Sequence, residues 1–170
     1  MKKIVLLLAG VMLSTHIFAA GNPDDPWEGF NRKMFAFNDT VDTYTLKPIA
    51  KGYRAVTPDP VERGVSRMVS NVGEVVNVFN DLLQGKFRQA GNDTGRFVIN
   101  TTIGLVGFFD VADRFGLPKN DGEDFGQTLG VWGVDSGPYL VLPLIGPSTV
   151  RDGPARIVDR FINPINEIDH

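Results

Sequence analysis

The residue types that most enzymes use for proton transfer, nucleophilic attack and metal binding are almost missing from this sequence. Its 170 residues include no cysteine and two histidines, His16 and His170. A serine hydrolase needs a base beside its nucleophile, and zinc sites usually need nitrogen or sulfur ligands. Ser148 follows Gly146 and Pro147, which gives the first glycine of a nucleophile elbow but not the second. We therefore predict no catalytic residue, no metal site and no cofactor.

One acidic cluster is the remaining candidate for a cation site. Asp121, Glu123 and Asp124 lie within four residues, but their spacing does not match a calcium-binding loop. Asp124 together with Gln127 instead forms a capping box that opens a short helix ending at Gly130. The sequence therefore favours a solvated loop here.

An apolar segment, residues 97–112, is the second feature that the sequence singles out. Its only charged residue is Asp110, yet it is too short to cross a bilayer. Gly104 and Gly107 disfavour a straight helix through its middle. We predict a bent hairpin with an apolar tip, which is either a re-entrant element that touches lipid or a buried turn of a protein core.

The elements that must position this hairpin are mostly helical. The first follows Asp25, Pro26 and Glu28, which together resemble a capping box. Apolar residues then recur every three or four positions, which predicts an amphipathic helix ending before Pro48. This stripe comprises Trp27, Phe30, Met34, Phe37, Val41 and Tyr44. A core-facing stripe is favoured over one that faces a bilayer.

The rest of the chain continues the helical pattern. We predict a short helix over 48–56 and a capped helix from Asp59 to Leu83, with Gly73 as a candidate break and Gly85 as the stop. Further helices are predicted over 86–102 and 153–161. The run 139–142 is the only strand-like one, and we expect it to cross the helices as an isolated extended segment. The predicted fold class is all-α, with little or no β-sheet.

The N-terminus has the pattern of a secretory signal peptide. Lys2 and Lys3 precede an apolar stretch, and small residues follow at 19–21. We assign residues 1–20 to the signal peptide and residues 21–170 to a single helical domain, with an uncleaved anchor as the alternative. Loss of the two lysines lowers the net charge from −3 to −5, which argues against nucleic acid as a partner. The lack of cysteine argues against lipid attachment at a lipobox.

Several blocks of the sequence together resemble one family of envelope proteins. The blocks are Asp25-Pro26-Trp27-Glu28-Gly29-Phe30-Asn31-Arg32, Phe37-Asn38, Leu82-Leu83-Gln84-Gly85, Asn100-Thr101-Thr102-Ile103-Gly104, Gly107-Phe108-Phe109-Asp110, Phe125-Gly126-Gln127-Thr128-Leu129-Gly130 and Gly146-Pro147-Ser148-Thr149-Val150-Arg151-Asp152. In their order and spacing, over roughly residues 24–161, they resemble the MlaA (VacJ) family.

This resemblance implies a function in lipid transport. Members form a ring of amphipathic helices in the inner leaflet of the outer membrane, bind trimeric porins and enclose an amphipathic channel. Phospholipids misplaced in the outer leaflet pass through it to a soluble periplasmic carrier, so that lipid asymmetry is maintained without catalysis. The implied lipid-contacting residues are Ile103, Leu105, Val106, Phe108 and Phe109. Those of a membrane-positioning helix are Trp27, Phe30, Met34 and Phe37.

Two alternatives remain beside lipid transport. An envelope hydrolase would need a nucleophile and a base that converge, and the sequence offers no such pair. A structural module that associates with porins without passing lipid fits the helices and the acidic charge equally well. The chain also ends earlier than family members usually do, so we expect it to lack C-terminal helices.

Overall fold

The computed structural model describes residues 25–164, so the predicted signal peptide lies outside the described part of the chain. The elements in this range are mostly helical, as predicted, and they follow in this order. They are α1 (Glu28–Val41), a π-helical segment (Asp42–Leu46), α2 (Lys47–Val56), α3 (Asp59–Leu83), α4 (Phe87–Thr102), a 3-10 helix (Ala112–Phe115), α5 (Phe125–Val131), β1 (Tyr139–Leu142), β2 (Gly146–Thr149) and α6 (Asp152–Ile162).

The first helical elements continue through the position where the sequence predicted an end. The π-helical segment joins α1 to α2, because the Lys47 N–H donates to the carbonyl of Asp42 five residues earlier. Pro48 lies at the second position of α2, directly after this wider turn, and the helix continues through it. The predicted helix end before Pro48 is therefore wrong.

The predicted capping box at the start of α1 is also wrong in its details. The helix begins at Glu28, after Trp27, and has no side-chain cap of its own. The Asp25 carboxylate instead accepts the N–H of Trp27, the residue directly before the helix, at 3.2 Å. Glu28 does not reach back to the helix start, because it forms an ion pair with Arg32 at 2.7 Å.

The other two predicted caps have different outcomes. Pro58 directly precedes α3, and Asp59 lies inside its first turn without capping it. At α5, the Asp124 carboxylate accepts the Gln127 N–H at 2.7 Å, which confirms Asp124 as the cap. The Gln127 side chain donates to the Gly122 carbonyl at 3.1 Å, so the reciprocal half of the predicted capping box is not formed.

Helices α3 and α4 form the central pair of the fold. They are joined by a short turn in which Gly85 adopts a φ of +75°, and the Lys86 N–H donates to the Asp81 carbonyl at 2.8 Å. This bond closes the end of α3 in the manner of a Schellman motif. Gly73 does not interrupt α3.

A two-stranded antiparallel sheet replaces the isolated strand that the sequence predicted. Strand β1 pairs with β2, with Tyr139 opposite Thr149 and Leu142 opposite Gly146. The second strand escaped prediction because Gly146-Pro147-Ser148-Thr149 has neither apolar alternation nor a full set of β-forming residues.

Helix α1 hydrogen-bonds to the backbone of β1 through two asparagines. Asn31 Oδ1 accepts the Val141 N–H at 2.8 Å, and Asn31 Nδ2 donates to the Tyr139 carbonyl at 3.1 Å. Seven residues later, Asn38 Nδ2 donates to the Leu142 carbonyl at 2.9 Å. The side-chain amides thus provide the partners that a third strand would provide, and they fix α1 on the sheet.

The interior of the described chain is mostly polar. The buried apolar side chains are few and small, and they are Ala90, Ala112, Val141 and Ala155. The buried polar and charged residues are Asn31, Asn71, Glu74, Asn80, Asp81, Asp93, Arg96, Asn100, Glu123, Thr128 and Ser148. Buried polar groups must be hydrogen-bonded or paired to be tolerated, and most of these are.

The apolar face of α1 points outward, contrary to the core-facing interpretation. Phe30 and Phe37 are exposed, Trp27 and Met34 are half-buried, and the one buried residue of α1 is Asn31. The periodicity of the stripe was predicted correctly but its direction was wrong, because the helix attaches to the sheet through its polar side.

Candidate functional site

The predicted hairpin is present, and we call residues 103–110 the hairpin. It follows the end of α4 at Thr102 and returns toward the 3-10 helix. Four of the five residues predicted to contact lipid are open to the exterior: Ile103 is 61%, Leu105 63%, Val106 52% and Phe109 49% exposed. The buried-turn alternative is thus wrong for the tip, although contact with lipid stays a prediction.

The tip of the hairpin has an unusual backbone. Leu105 and Val106 have φ values of 53° and 59°, in the left-handed region that bulky residues rarely adopt. Such residues cost on the order of 1–3 kcal/mol each. The Val106 N–H donates to the Thr101 carbonyl at 3.0 Å, and the Phe109 N–H donates to the Gly104 carbonyl at 2.9 Å. These bonds hold two large apolar side chains outward on a short loop.

Phe108 is the exception among the five residues, because it anchors the hairpin to α3. It is half-buried, and its ring lies over Gly64, where any Cβ would overlap it. It also makes an edge-on contact with Phe109, with ring centroids 5.0 Å apart. Phe108 therefore positions the hairpin, and Phe109 is the aromatic residue at its surface.

Asn100 holds the returning limb of the hairpin to α4. Its Oδ1 accepts the N–H groups of Val111 and Ala112 at 2.8 and 2.9 Å, and its Nδ2 donates to Asp110 Oδ1 at 3.0 Å. These three hydrogen-bonding partners are thus joined through one buried amide. Asn71 of α3 adds a bond to Thr101 Oγ1 at 2.8 Å.

Arg96 is the central charge below the hairpin. It is 2% exposed, and it donates to Asp110 Oδ2 at 2.9 Å and to the Leu117 carbonyl at 2.6 Å. Its Nε lies 3.5 Å from Glu74 Oε1, close enough for ionic attraction but without hydrogen-bond geometry. Arg96 therefore connects α3, the hairpin and the following loop through one guanidinium.

The two carboxylates beside Arg96 have pKa values that are shifted in opposite directions. Burial raises the pKa of Glu74 above its ordinary value, and the bond from Asn77 and the charge of Arg96 offset only part of this. Burial also acts to raise the pKa of Asp110, but hydrogen bonds from Arg96 and Asn100 outweigh it and hold that pKa below its usual range. The Arg96–Asp110 pair is thus the stronger of the two.

A second polar cluster lies around Glu123, which the sequence had assigned to a solvated loop. This assignment is wrong for Glu123, which is buried and accepts from Lys86 Nζ at 2.7 Å and from Gln84 Nε2 at 3.0 Å. Burial acts to raise its pKa, but these donors hold it below the ordinary value. Asp121 and Asp124 are exposed, as predicted.

Asp81 and Asp93 form a buried pair of carboxyl groups between α3 and α4. Both are 0% exposed, and the two oxygens of Asp81 and Oδ2 of Asp93 have no hydrogen-bond donor among the described residues. Burial, followed by the nearby charge of Asp93 and then that of Glu123, raises the pKa of Asp81 to about 6. Lys86 opposes this shift only partly.

The predicted lipid-contacting residues and the predicted membrane-positioning residues are held by different parts of the fold. The hairpin is held by α3 and α4, whereas Trp27, Phe30, Met34 and Phe37 belong to the region around α1, which packs against β1 and β2. Over residues 25–164, no helix is both long and apolar enough to cross a membrane. The same part of the chain contains no cluster of three or more acidic or histidine side chains suited to a metal ion.

The sequence interpretation missed the buried polar residues, although a signal for them was present. Asp93, Arg96 and Asn100 recur at spacings of three and four on α4, and Asn71 and Glu74 do so on α3. A polar stripe at helical period indicates a helix face as surely as an apolar one. The prediction of helix faces used only the apolar stripes, so the buried polar faces of α3 and α4 were not predicted.

The contact between Phe108 and Gly64 gives a first testable prediction. We expect Gly64→Ala to lower the free energy of unfolding by about 1–3 kcal/mol, because the added methyl displaces a packed ring. The double variant Gly64→Ala/Phe108→Ala should lose less free energy of unfolding than the sum of the losses in the two single variants. Chemical denaturation followed by circular dichroism measures all three variants.

Gly52→Ala is the matched control for this experiment. Gly52 lies in α2 with nothing within 4 Å of the added Cβ, so alanine should stabilise the helix slightly. A Gly64→Ala variant as stable as Gly52→Ala would contradict the packing of the Phe108 ring over Gly64.

A family model described as "MlaA lipoprotein" matches residues 23–170. Among proteins named as the intermembrane phospholipid transport system lipoprotein MlaA, that of Escherichia coli K12 is 39% identical over 140 residues, which cover 81% of this chain and 56% of the relative. The Haemophilus influenzae protein of the same name is 39% identical over 138 residues, covering 80% of this chain and 55% of the relative. An uncharacterized protein of Rickettsia conorii is 43% identical over 147 residues, covering 86% and 58%.

A solved structure gives the same likeness in three dimensions. It comes from work on the structural basis for maintenance of bacterial outer membrane lipid asymmetry, and it aligns with a TM-score of 0.74 at 36% identity. The alignment covers 85% of this chain and 74% of that chain. The chain spans little more than half the length of the relatives named above.

Proposed function

The chain belongs to the MlaA lipoprotein family, and from this premise we propose that it is a non-enzymatic part of phospholipid transport between the membranes of a Gram-negative envelope. It removes misplaced phospholipids from the outer leaflet of the outer membrane and so maintains lipid asymmetry. The names of its relatives and the subject of the similar solved structure support this proposal.

The observation that carries the proposal is the inverted distribution of polarity. Polar and charged side chains dominate the buried positions, while large apolar side chains face outward along α1, α2, α3 and the hairpin. A soluble globular protein normally does the reverse. An apolar exterior with a polar interior suits a protein that lies among acyl chains and carries a head group through its centre.

Physical chemistry explains why such a path is needed. Each methylene moved into water costs about 0.8 kcal/mol, so two long acyl chains would cost roughly 20 kcal/mol or more. The charged head group has the opposite problem, because its transfer into hydrocarbon without partners is costly. A path with apolar and polar walls meets both requirements.

We assign roles to the two exposed apolar surfaces on this basis. Ile103, Leu105, Val106 and Phe109 contact acyl chains at the hairpin, and Phe108 shares that surface while fixing it to α3. Trp27, Phe30, Met34 and Phe37 help position α1 in the inner leaflet. The proposed partners are phospholipids, trimeric porins and a soluble periplasmic lipid carrier.

The hairpin provides the test of the proposed function. We expect the double variant Leu105→Asp/Phe109→Asp to keep its helicity in detergent, because both side chains are exposed. In cells that lack the wild-type gene, it should leave outer-leaflet phospholipid as high as a complete deletion does, because two charges at the tip oppose contact with acyl chains. Enzymatic labelling of outer-leaflet phospholipid, followed by mass spectrometry, measures this.

Phe87→Asp is the control for this experiment. Phe87 is 71% exposed at the other end of α4, so the substitution places a carboxylate at an exposed aromatic position without touching the hairpin. It should support normal lipid clearance. Normal outer-leaflet phospholipid in the deletion strain itself would count against transport and favour a structural role beside porins.

A further inference from the structure

An amphipathic cavity lies beside the hairpin. It has a volume of about 530 Å³ and is lined by Arg67 of α3, by Phe109 and Val111, and by Asp110, Asp113 and Arg114. The hairpin and the 3-10 helix thus supply an apolar wall and charged groups to one space. Its size falls within the range usual for small-molecule sites.

The two arginines of this cavity have no partner in the described chain. The side chains of Arg67 and Arg114 are exposed, and neither forms a hydrogen bond or an ion pair among residues 25–164. Asp110 is already held by Arg96 and Asn100, so its charge is compensated from within. Asp113 offsets one of the two arginine charges, which leaves the cavity with a local charge of one positive unit.

Arg67 also lies where this cavity meets the polar interior. It lines a neighbouring cleft of about 150 Å³ whose other walls include Ser66, Ser70 and Asn71 as well as the buried pair Glu74 and Arg96. Gly64, the seat of Phe108, lies one helical turn before Arg67 on the same side of α3. The guanidinium is thus adjacent both to the apolar hairpin and to the entrance of the polar cleft.

We propose that Arg67 and Arg114 form a binding site for the phosphodiester group of a phospholipid whose acyl chains lie along Phe109 and Val111. This rests on the proposed function and adds the head-group site to it. Guanidinium groups bind phosphate oxygens through paired, charge-assisted hydrogen bonds. A single positive unit matches the single negative charge of a phosphodiester better than the double charge of a phosphomonoester.

The test uses the full chain in detergent with three soluble probes. Dihexanoyl phosphatidylglycerol below its micelle concentration carries both the phosphodiester and the chains. Inorganic phosphate lacks the chains, and dihexanoylglycerol lacks the phosphate. Calorimetric titration should show the tightest binding for the first probe, and Arg67→Gln and Arg114→Gln should each weaken it by about tenfold. Binding of dihexanoylglycerol should not change in either variant.

Arg88→Gln is the matched control, because Arg88 is likewise exposed and has no partner within the described part of the chain, but lines a different cavity at the start of α4. It should bind phosphatidylglycerol as the wild type does. Wild-type affinity in the Arg67→Gln/Arg114→Gln variant overturns the site, and so does inorganic phosphate that binds as tightly as the lipid. Neither result affects the measurement of outer-leaflet phospholipid in cells, which judges the proposed function separately.

Discussion

Replacing Arg96 by methionine should reduce the free energy of unfolding by about 3–5 kcal/mol, because it removes one partner of a buried ion pair and leaves the other uncompensated. Arg96 is 2% exposed and joins Asp110, the Leu117 carbonyl and the neighbourhood of Glu74. Methionine approximates the length of the side chain but offers no donor. The hairpin should lose its returning anchor together with the stability.

The pH dependence of this loss identifies its cause. Without the guanidinium, the pKa values of Asp110 and Glu74 rise in the folded state, so the destabilisation is present when both would be ionised. It should shrink as the pH falls through those raised values and the carboxyls take up protons. Denaturant titrations near pH 4 and pH 7 measure the difference.

Arg88→Met provides the comparison, since it removes an exposed arginine from the same helix. It should change stability by less than about 0.5 kcal/mol at either pH. An Arg96→Met variant that is equally destabilised at pH 4 and pH 7 would contradict the electrostatic explanation and point to lost packing instead.

The helices were largely predictable from the sequence because their signals are local. Apolar spacing, with Asp59 as the predicted start and Gly85 as the predicted stop, set α3 to within a residue, and α4 and α6 follow the predicted ranges closely. The join between α1 and α2 was not predictable in this way. A single wider turn at 42–46 carries the helix past Pro48, and the rules for proline at helix interiors do not anticipate it.

The direction of each helix face could not be predicted, since periodicity identifies a face without saying what covers it. From periodicity alone a core-facing stripe was favoured for α1 over a bilayer-facing one, yet Asn31 is the residue that the fold buries. That outcome depends on bonds to Tyr139 and Val141, more than one hundred residues away. The partner of β1 was missed for the same reason, because pairing with β2 is a tertiary property.

The candidate site was predictable in part. The apolar hairpin and its tip followed from composition and from the glycines at 104 and 107, because these constrain the backbone locally. The residues that support the hairpin could not be predicted in this way. Taken one at a time, Asn100, Arg96 and Asn71 are typical of the exposed surface of a helix. Their roles depend on the approach of α3 to α4, which brings their polar stripes together.

The buried carboxyl groups of Asp81 and Asp93 give the last prediction. Here the substitution is expected to raise the free energy of unfolding, whereas Arg96→Met is expected to lower it. Asp81→Asn should raise the free energy of unfolding at pH 7 by up to about 3 kcal/mol, because the pKa of Asp81 is raised from 3.8 to about 6 in the folded state. A group with a raised pKa prefers its proton. At pH 7 the folded wild type therefore bears the cost of an ionised carboxylate beside Asp93.

The pH profile should distinguish this from a simple packing effect. Below about pH 3, Asp81 is protonated in both states and imposes no penalty. As the pH rises toward 6, the unfolded chain releases the proton first, so the wild type loses stability over this window. The asparagine variant should lack that fall, and the two proteins should be nearly equal in stability at about pH 3.

Asp121→Asn is the control, because Asp121 is an exposed carboxylate and its substitution removes the same charge. It should leave stability almost unchanged across the range. The amide of asparagine can also donate to Asp93 Oδ2, which has no donor among residues 25–164 of the wild type, and this adds to the expected gain. A loss of stability in Asp81→Asn at pH 7 would overturn this account, because it would mean that the ionised carboxylate itself holds α3 and α4 together.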